Sequence, residues 1–256
     1  MSEYKKNSLS LTGAVSLGTG VMIGAAIFAL VGQVAELSGK LFPVAFLAGG
    51  LIAAVSSYAY IKMSNTYPSA GGIAMYLQKA YGKGTITAVS ALLMAFAMVI
   101  NQSLTARTFG TYTLQLFDIT SNSYLAPSLG VFLLIIGFIL NISGNEVVEK
   151  SSFLMALIKI GGIIIFALGA LWAAGFTFGD AVSLKTSADY SIPDYLGAFA
   201  LSVLAYVGFT TITNSGEEII DPHKNVSRAI IISLLICAIV YLLVSFAVSS
   251  NLSVDE

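Results

Sequence analysis

The sequence predicts an all-α integral membrane protein with about seven transmembrane helices, and three observations predict it. Of 256 residues, 57% are hydrophobic and only 10% charged, and the mean hydropathy of +0.88 describes more apolar surface than a soluble core could hide. Stretches free of Asp, Glu, Lys and Arg reach spanning length seven times, each close to the roughly 20 residues a helix needs. Glycine clusters then interrupt two of these stretches, where a spanning helix should be continuous. In hydrocarbon an unpaired backbone group is costly, so a helix breaks only where protein or a water-filled cavity satisfies the freed groups.

The first stretch, Asn7 to Ala35, carries the run GTGVMIGAAIF with Gly18, Gly20 and Gly24, and is predicted to break at mid-membrane. It reads as a retained helix rather than a removed signal, because no short apolar segment ends in a small-residue cleavage site. The second runs from Leu41 to Ile61. A polar connection follows, Asn65 to Lys83, in which Pro68, Gly71 and Gly72 form a turn and the remainder a short helix along the cytoplasmic surface. Gly84 to Ala106, Ile119 to Asn145 and Ile160 to Gly179 are the third, fourth and fifth spans. Asp180 to Asp194 reads as an external loop, with Pro193 placed to open the sixth helix. That helix, Tyr195 to Gly216, is predicted to break at Gly208, which Thr210 and Thr211 follow. Ala229 to Val254 is the seventh.

Basic residues near the span ends set the orientation. Lys5, Lys6, Lys62, Lys79, Lys83, Lys150, Lys224 and Arg228 share the side of the amino terminus, and Lys40 and Lys185 lie opposite. A cytoplasmic amino terminus in a multi-pass protein of the cell membrane follows. The lone Cys237 allows neither an intrachain disulfide nor a cysteine metal cluster. His223, the single histidine, reads as a solvated loop residue rather than a proton relay. No zinc-protease, nucleotide-binding or nucleophile-elbow motif is present, so neither an enzyme nor a nucleic-acid binder is expected, and the lipid bilayer is the expected surroundings.

The loops are short and no Pro/Ser-rich linker divides the chain, so residues 1–256 form a single membrane domain. Breaks five helices apart indicate an internal repeat. Spans one to five, about residues 8–178, make a complete first repeat, and spans six and seven, about 193–252, begin a second that is inverted because five is odd. That is the layout in which discontinuous helices meet at the bilayer midplane. The second repeat is truncated.

The motifs resemble those of the amino acid-polyamine-organocation permeases, which have the LeuT-like fold of inverted five-helix repeats. GTGVMIGAAIF is similar to that family's GxGxxIGxGIF pattern of the unwound first helix. SYAYIKMSNTYPSAGGIAMYLQKAYG is similar to its loop after the second helix, and AYVGFTTITNSGEEIIDPHKNVSRAI to its sixth-helix pattern ending in acidic residues, Pro and Arg. Ala26 stands where the pattern has glycine, Tyr60 where an acidic residue is common and Ser227 where proline is usual. The larger departure is seven helices where the family has ten to twelve.

An unwound segment offers N–H groups where the helix restarts and carbonyls where it stops, and an amino acid zwitterion complements both. Its carboxylate would take the amides near Gly24, Ala25 and Ala26, at the positive end of the restarted helix. Its ammonium would take carbonyls near Met22 and, across the site, Leu204 and Val207. The resemblance implies the same assignment and places Leu204 where many relatives carry an aromatic gate. Gly208, Thr210, Ala205 and Asn101 or Ser103 would border the side-chain pocket, which without a charged group favours a small neutral amino acid. The bland reading of the glycines is close packing of small residues between helices.

Lys159, at the margin of the fifth charge-free stretch and read as lying within that helix, either snorkels to the cytoplasmic surface or releases and regains a proton during transport. The resemblance favours the second, since proton-coupled relatives carry a lysine here in place of sodium. The proton is the expected coupling ion and no other cofactor is called for. Glu217 and Glu218 read as solvated or paired with Lys224 or Arg228, Arg107 as an interface anchor or partner of Asp118, and Tyr58, Tyr60, Tyr112 and Trp172 as interfacial aromatics. The expected function is secondary active transport of amino acids, by this chain or as the amino-terminal portion of a longer one. One alternative is a subunit or fragment needing a second chain to supply the missing helices. A seven-helix receptor or retinal protein is a remote one, as the last span has no lysine for a Schiff base.

Overall fold

The computed structural model describes residues 7–119, 124–175 and 191–251. Ser10, extended at φ −71° and ψ 165°, accepts the Gly13 N–H on its hydroxyl and so starts α1 (Leu11–Val21). Ile23 (φ −86°, ψ 57°) and Gly24 (φ −130°, ψ −140°) leave helical geometry. The chain restarts as α2 (Ile27–Ser38), bent by 47° from the first piece. One tight turn leads to α3 (Phe42–Thr66), with Pro43 in its first turn, where a missing N–H costs nothing. The predicted short helix is α4 (Gly72–Tyr81). It is anchored by the buried Tyr76, whose hydroxyl lies 2.6 Å from that of Ser64 on α3.

α5 (Thr85–Leu116), α6 (Leu125–Ile142) and α7 (Asn145–Ala173) follow. α8 (Ile192–Ala205) begins where the Asp194 carboxylate accepts both the N–H and the hydroxyl of Ser191. A turn through Tyr206, Val207 and Gly208 separates it from the six-residue α9 (Phe209–Asn214), and α10 (Pro222–Asn251) closes the described chain. Six stretches among the described residues are long and apolar enough to cross a membrane, and α1 with α2 makes a seventh if taken as one bent span. The chain is thus an all-α multi-pass membrane protein, interrupted in the two spans the glycines mark.

Boundaries differ from the sequence expectation where charged residues fall. α5 runs on past Ala106 to Leu116, so Arg107 sits within the helix with about two and a half turns beyond it. α7 starts at Asn145 rather than Ile160 and carries Glu146, Glu149, Lys150 and Lys159. α10 begins at Pro222 rather than Ala229. A charge-free stretch ends at every ionised side chain, whereas a helix continues through one whose head reaches the end of the bundle. Most of the predicted external loop, residues 180–190, lies outside the described residues.

The core gathers α1, α2, α3, α7, α8, α9 and α10 around Phe42, Phe46, Tyr206, Ile212, Ile230 and Tyr241. α5 and α6 pack closely on one another, main chain against main chain at Gly110–Ala126 and Gly130–Ala106. They leave Leu92, Phe96, Phe132 and Phe138 exposed, as befits helices facing lipid or further protein.

Contacts bring the span ends with the most basic residues together at one end of the bundle. The N–H groups of Ser8 and Leu9 donate to the Glu218 carbonyl at 2.7 and 2.8 Å, and Ile220 N–H returns a bond to Leu9 at 2.9 Å. Glu217 and Glu218 therefore take part through their main chain, in turns beyond α9 rather than on its last turn. His223, expected to be a solvated loop residue, sits on the first turn of α10 with Nδ1 2.6 Å from the Asn65 carbonyl oxygen. Of the supposed interfacial aromatics, Tyr58, Tyr112 and Trp172 are exposed. Tyr60 instead packs edge-on against Phe209, with ring centroids 5.1 Å apart, and the Tyr112 hydroxyl donates to the Phe28 carbonyl at 2.9 Å.

Candidate functional site

The two interruptions abut one another. A Cβ added at Gly208 would lie 2.7 Å from Met22 Cγ and 2.8 Å from the Met22 nitrogen, so only a residue without a side chain lets the second break press against the first. Gly208→Val is expected to force them apart and to destabilise the fold by about 1–3 kcal/mol. A lower midpoint of thermal unfolding in detergent checks this.

Each break has a side chain from an unbroken helix at its stopping end. Lys159 of α7 donates from Nζ to the Gly20 carbonyl at 3.2 Å, an oxygen that a continuous helix would have bonded to the Gly24 amide. The lysine thus points into the first break rather than out to the bundle surface. Tyr241 of α10 is fully buried. Its hydroxyl lies 2.5 Å from the Met22 carbonyl oxygen and 3.0 Å from that of Ala205, joining both breaks. Tyr206 stacks edge-on against it at 4.9 Å and donates to the Phe46 carbonyl at 3.2 Å.

The second break is tighter than the first. Val207 N–H donates to Leu204 at 3.2 Å and Thr210 N–H to Val207 at 3.1 Å, bonds three residues apart that wind the chain into a narrow turn. The carbonyls of Leu204 and Val207 therefore each serve the turn, and that of Val207 also accepts the Thr210 hydroxyl at 3.1 Å.

Beside this turn lies a cavity of about 490 Å³, within the range of small-molecule sites. Leu204, Val207, Gly208 and Thr210 line it, as do Ala205 and Asn101. Ser103 does not; it faces a separate groove between α5 and α6, with Gln102 and Arg107. Val21, Tyr60, Ser90, Met94 and Thr211 also line the cavity, and none of its described lining residues is charged. Met22 and Gly24 stand at the first break, buried behind this wall rather than on it. Ala25 and Ala26 follow the break and lead into α2. Lys159 lines a second cavity of about 550 Å³ with residues of α2, α7 and α10, while its ammonium reaches back to Gly20.

Tyr241 and Tyr60 were missed from the sequence as site residues. A tyrosine in an apolar span reads as bulk, and only the spacing of Tyr241 four and eight residues after Cys237 and Ser233 hints that one face of α10 follows α1.

Comparison with known proteins adds to this geometry. The family model for amino acid permeases matches residues 9–255. The chain is 34% identical over 256 residues to an uncharacterized protein of Methanocaldococcus jannaschii, covering 99% of this chain and 58% of that one. It is 28% identical over 260 residues to the serine/threonine exchanger SteT of Bacillus subtilis, covering 98% and 56%. It is 26% identical over 257 residues to the mitochondrial cationic amino acid transporter 3 of Arabidopsis thaliana, covering 94% and 42%. The chain spans about half the length of these curated relatives.

Proposed function

Since the chain belongs to the amino acid permease family, we propose that it carries the binding half of a secondary active transporter that couples uptake of a small neutral amino acid to protons. The observation that carries this reading is the meeting of two interrupted spans, with the Lys159 ammonium on the exposed carbonyl of one of them. Amides of Gly24, Ala25 and Ala26 at the start of α2 would hold the substrate carboxylate. The carbonyls of Met22, Leu204 and Val207 would hold its ammonium, in exchange for the Tyr241 hydroxyl at Met22 and the Thr210 hydroxyl at Val207. The cavity beside Leu204, Gly208 and Thr210 would take the side chain, and its uncharged lining favours neutral over cationic substrates. Lys159 would carry the coupled proton, leaving Gly20 as it releases it. The site lies in a single membrane domain of the cell membrane with a cytoplasmic amino terminus, a placing supported by Lys62, Lys79, Lys83, Lys150, Lys224 and Arg228 at one end of the bundle.

A second reading, that the chain needs another polypeptide to work, is favoured by α5. Asn101, Gln102, Ser103 and Arg107 are all exposed within that span, and polar side chains at membrane depth normally face protein or water rather than lipid. A chain supplying further helices would cover them. Reconstituted alone in liposomes with an inward proton gradient, the 256-residue chain is expected not to concentrate radiolabelled alanine or serine. Robust accumulation would refute the need for a partner, and accumulation of lysine instead would refute the neutral-substrate assignment.

A further inference from the structure

We propose that Glu149 is a positioning residue whose carboxylate, reaching from α7, docks the half-helix α1 and sets how readily that half-helix leaves the bundle. Its effect on transport rests on the function proposed above; the docking itself does not.

Ile23 and Gly24 leave helical geometry, so the placing of α1 depends also on what grips it elsewhere. At its starting end the side-chain part of the grip comes from one residue. Glu149 Oε1 accepts the Ser10 hydroxyl, and Oε2 lies 3.5 Å from the Ser10 nitrogen. The Ser10 oxygen accepts in turn from the Gly13 N–H at 3.0 Å. One carboxylate therefore secures the capping residue that secures the first turn, at the positive end of the helix dipole. Space has been left for it: a Cβ at Gly13 would lie 2.7 Å from Glu149 Cδ and 2.8 Å from Cγ.

The other polar attachment at this end joins α1 to a different element. Residues 7–9 bond to the main chain of residues 217–220 just beyond α9. That pairing ties the lower piece of one broken span to the lower piece of the other. The Glu149 contact instead ties α1 to α7, an unbroken span, so the two half-helices can leave α7 together only by giving it up.

The chain contains its own reporter of such a departure. Ser233 Oγ lies 3.3 Å from the Val15 carbonyl oxygen and Tyr241 Oη 2.5 Å from that of Met22. Residues 233, 237 and 241 share one helical face, so Cys237, fully buried and the single cysteine, lies under α1.

With the 256-residue chain in native membranes, N-ethylmaleimide is expected to modify Cys237 at least about tenfold faster in Glu149→Ala, the scale on which one charge-assisted hydrogen bond shifts an opening equilibrium. Glu149→Gln should stay within about twofold of the unaltered chain, since a carboxamide can accept from the Ser10 N–H and donate to Ser10 Oγ. Gly13→Ala, which displaces the carboxylate, should also speed labelling, and the double variant should be no faster than the faster single one, because both remove the same contact. An unchanged rate in Glu149→Ala, a Gln variant as reactive as the Ala variant, or additive effects in the double variant would each overturn the proposal. General loss of folding is distinguished by that additivity and by the Gln variant. No substrate is needed, so a chain that transports nothing still tests the docking.

Discussion

Lys159→Ala is expected to reduce proton-driven accumulation of substrate to simple equilibration in a complete transporter containing this chain, while leaving the helices assembled. The ammonium is the group that meets the Gly20 carbonyl where α1 stops. Alanine leaves that oxygen without its donor, a cost of about 1–3 kcal/mol, which the fold can bear. What is lost is the group that can be charged in one state of the cycle and neutral in another. Lys159→Arg separates the two roles, because guanidinium keeps its charge at every accessible pH. It should hold Gly20 yet uncouple uptake from the proton gradient. Uptake measured in proteoliposomes across pH 5.5 to 8 should therefore lose its pH dependence in both variants, and a retained dependence in Lys159→Ala would exclude this lysine as the proton carrier.

Gly24→Val is expected to weaken substrate binding at least about a hundredfold, the equivalent of losing two charge-assisted hydrogen bonds. A Cβ at Gly24 would meet Lys159 Nζ at 3.9 Å and no other atom nearer than 4 Å, so the new side chain occupies open space rather than crowding the core. That space is where the substrate carboxylate would reach the amides ahead of α2. The thermal unfolding midpoint should accordingly change little, in contrast to Gly208→Val. Equilibrium binding of a radiolabelled amino acid is the measurement, and normal affinity in Gly24→Val would reject the carboxylate assignment.

Much of this arrangement is legible in the residues. Gly24 and Gly208 inside apolar stretches mark the two interruptions, whereas Gly18 and Gly20, read as part of the first, lie within regular α1, where Gly18 lets Ile212 and Ser233 pack close. Lys159 likewise stands out, since a charge within a span rarely lacks a purpose. The helix ends are less legible, for Glu146, Glu149 and Lys150 look like boundaries in a charge count and are in fact the opening turns of α7. The partners of the breaks are hardly legible at all. That Gly208 touches Met22, that Tyr241 serves both stops and that Asn101 faces the cavity while Ser103 turns away are consequences of crossing angle and rotation, which no single stretch of sequence specifies. The narrow winding at Leu204 to Thr210 is of the same kind: the residues announce an interruption without saying how far the chain unwinds.

A phenol owns one hydrogen, and at position 241 two main-chain oxygens from different spans compete for it. Should the Met22 oxygen recede, the hydrogen can swing wholly to Ala205, and the reverse holds if Ala205 withdraws. The ring acts as a seesaw, so a small movement at one gap is felt at the other through a single atom, before any helix has shifted.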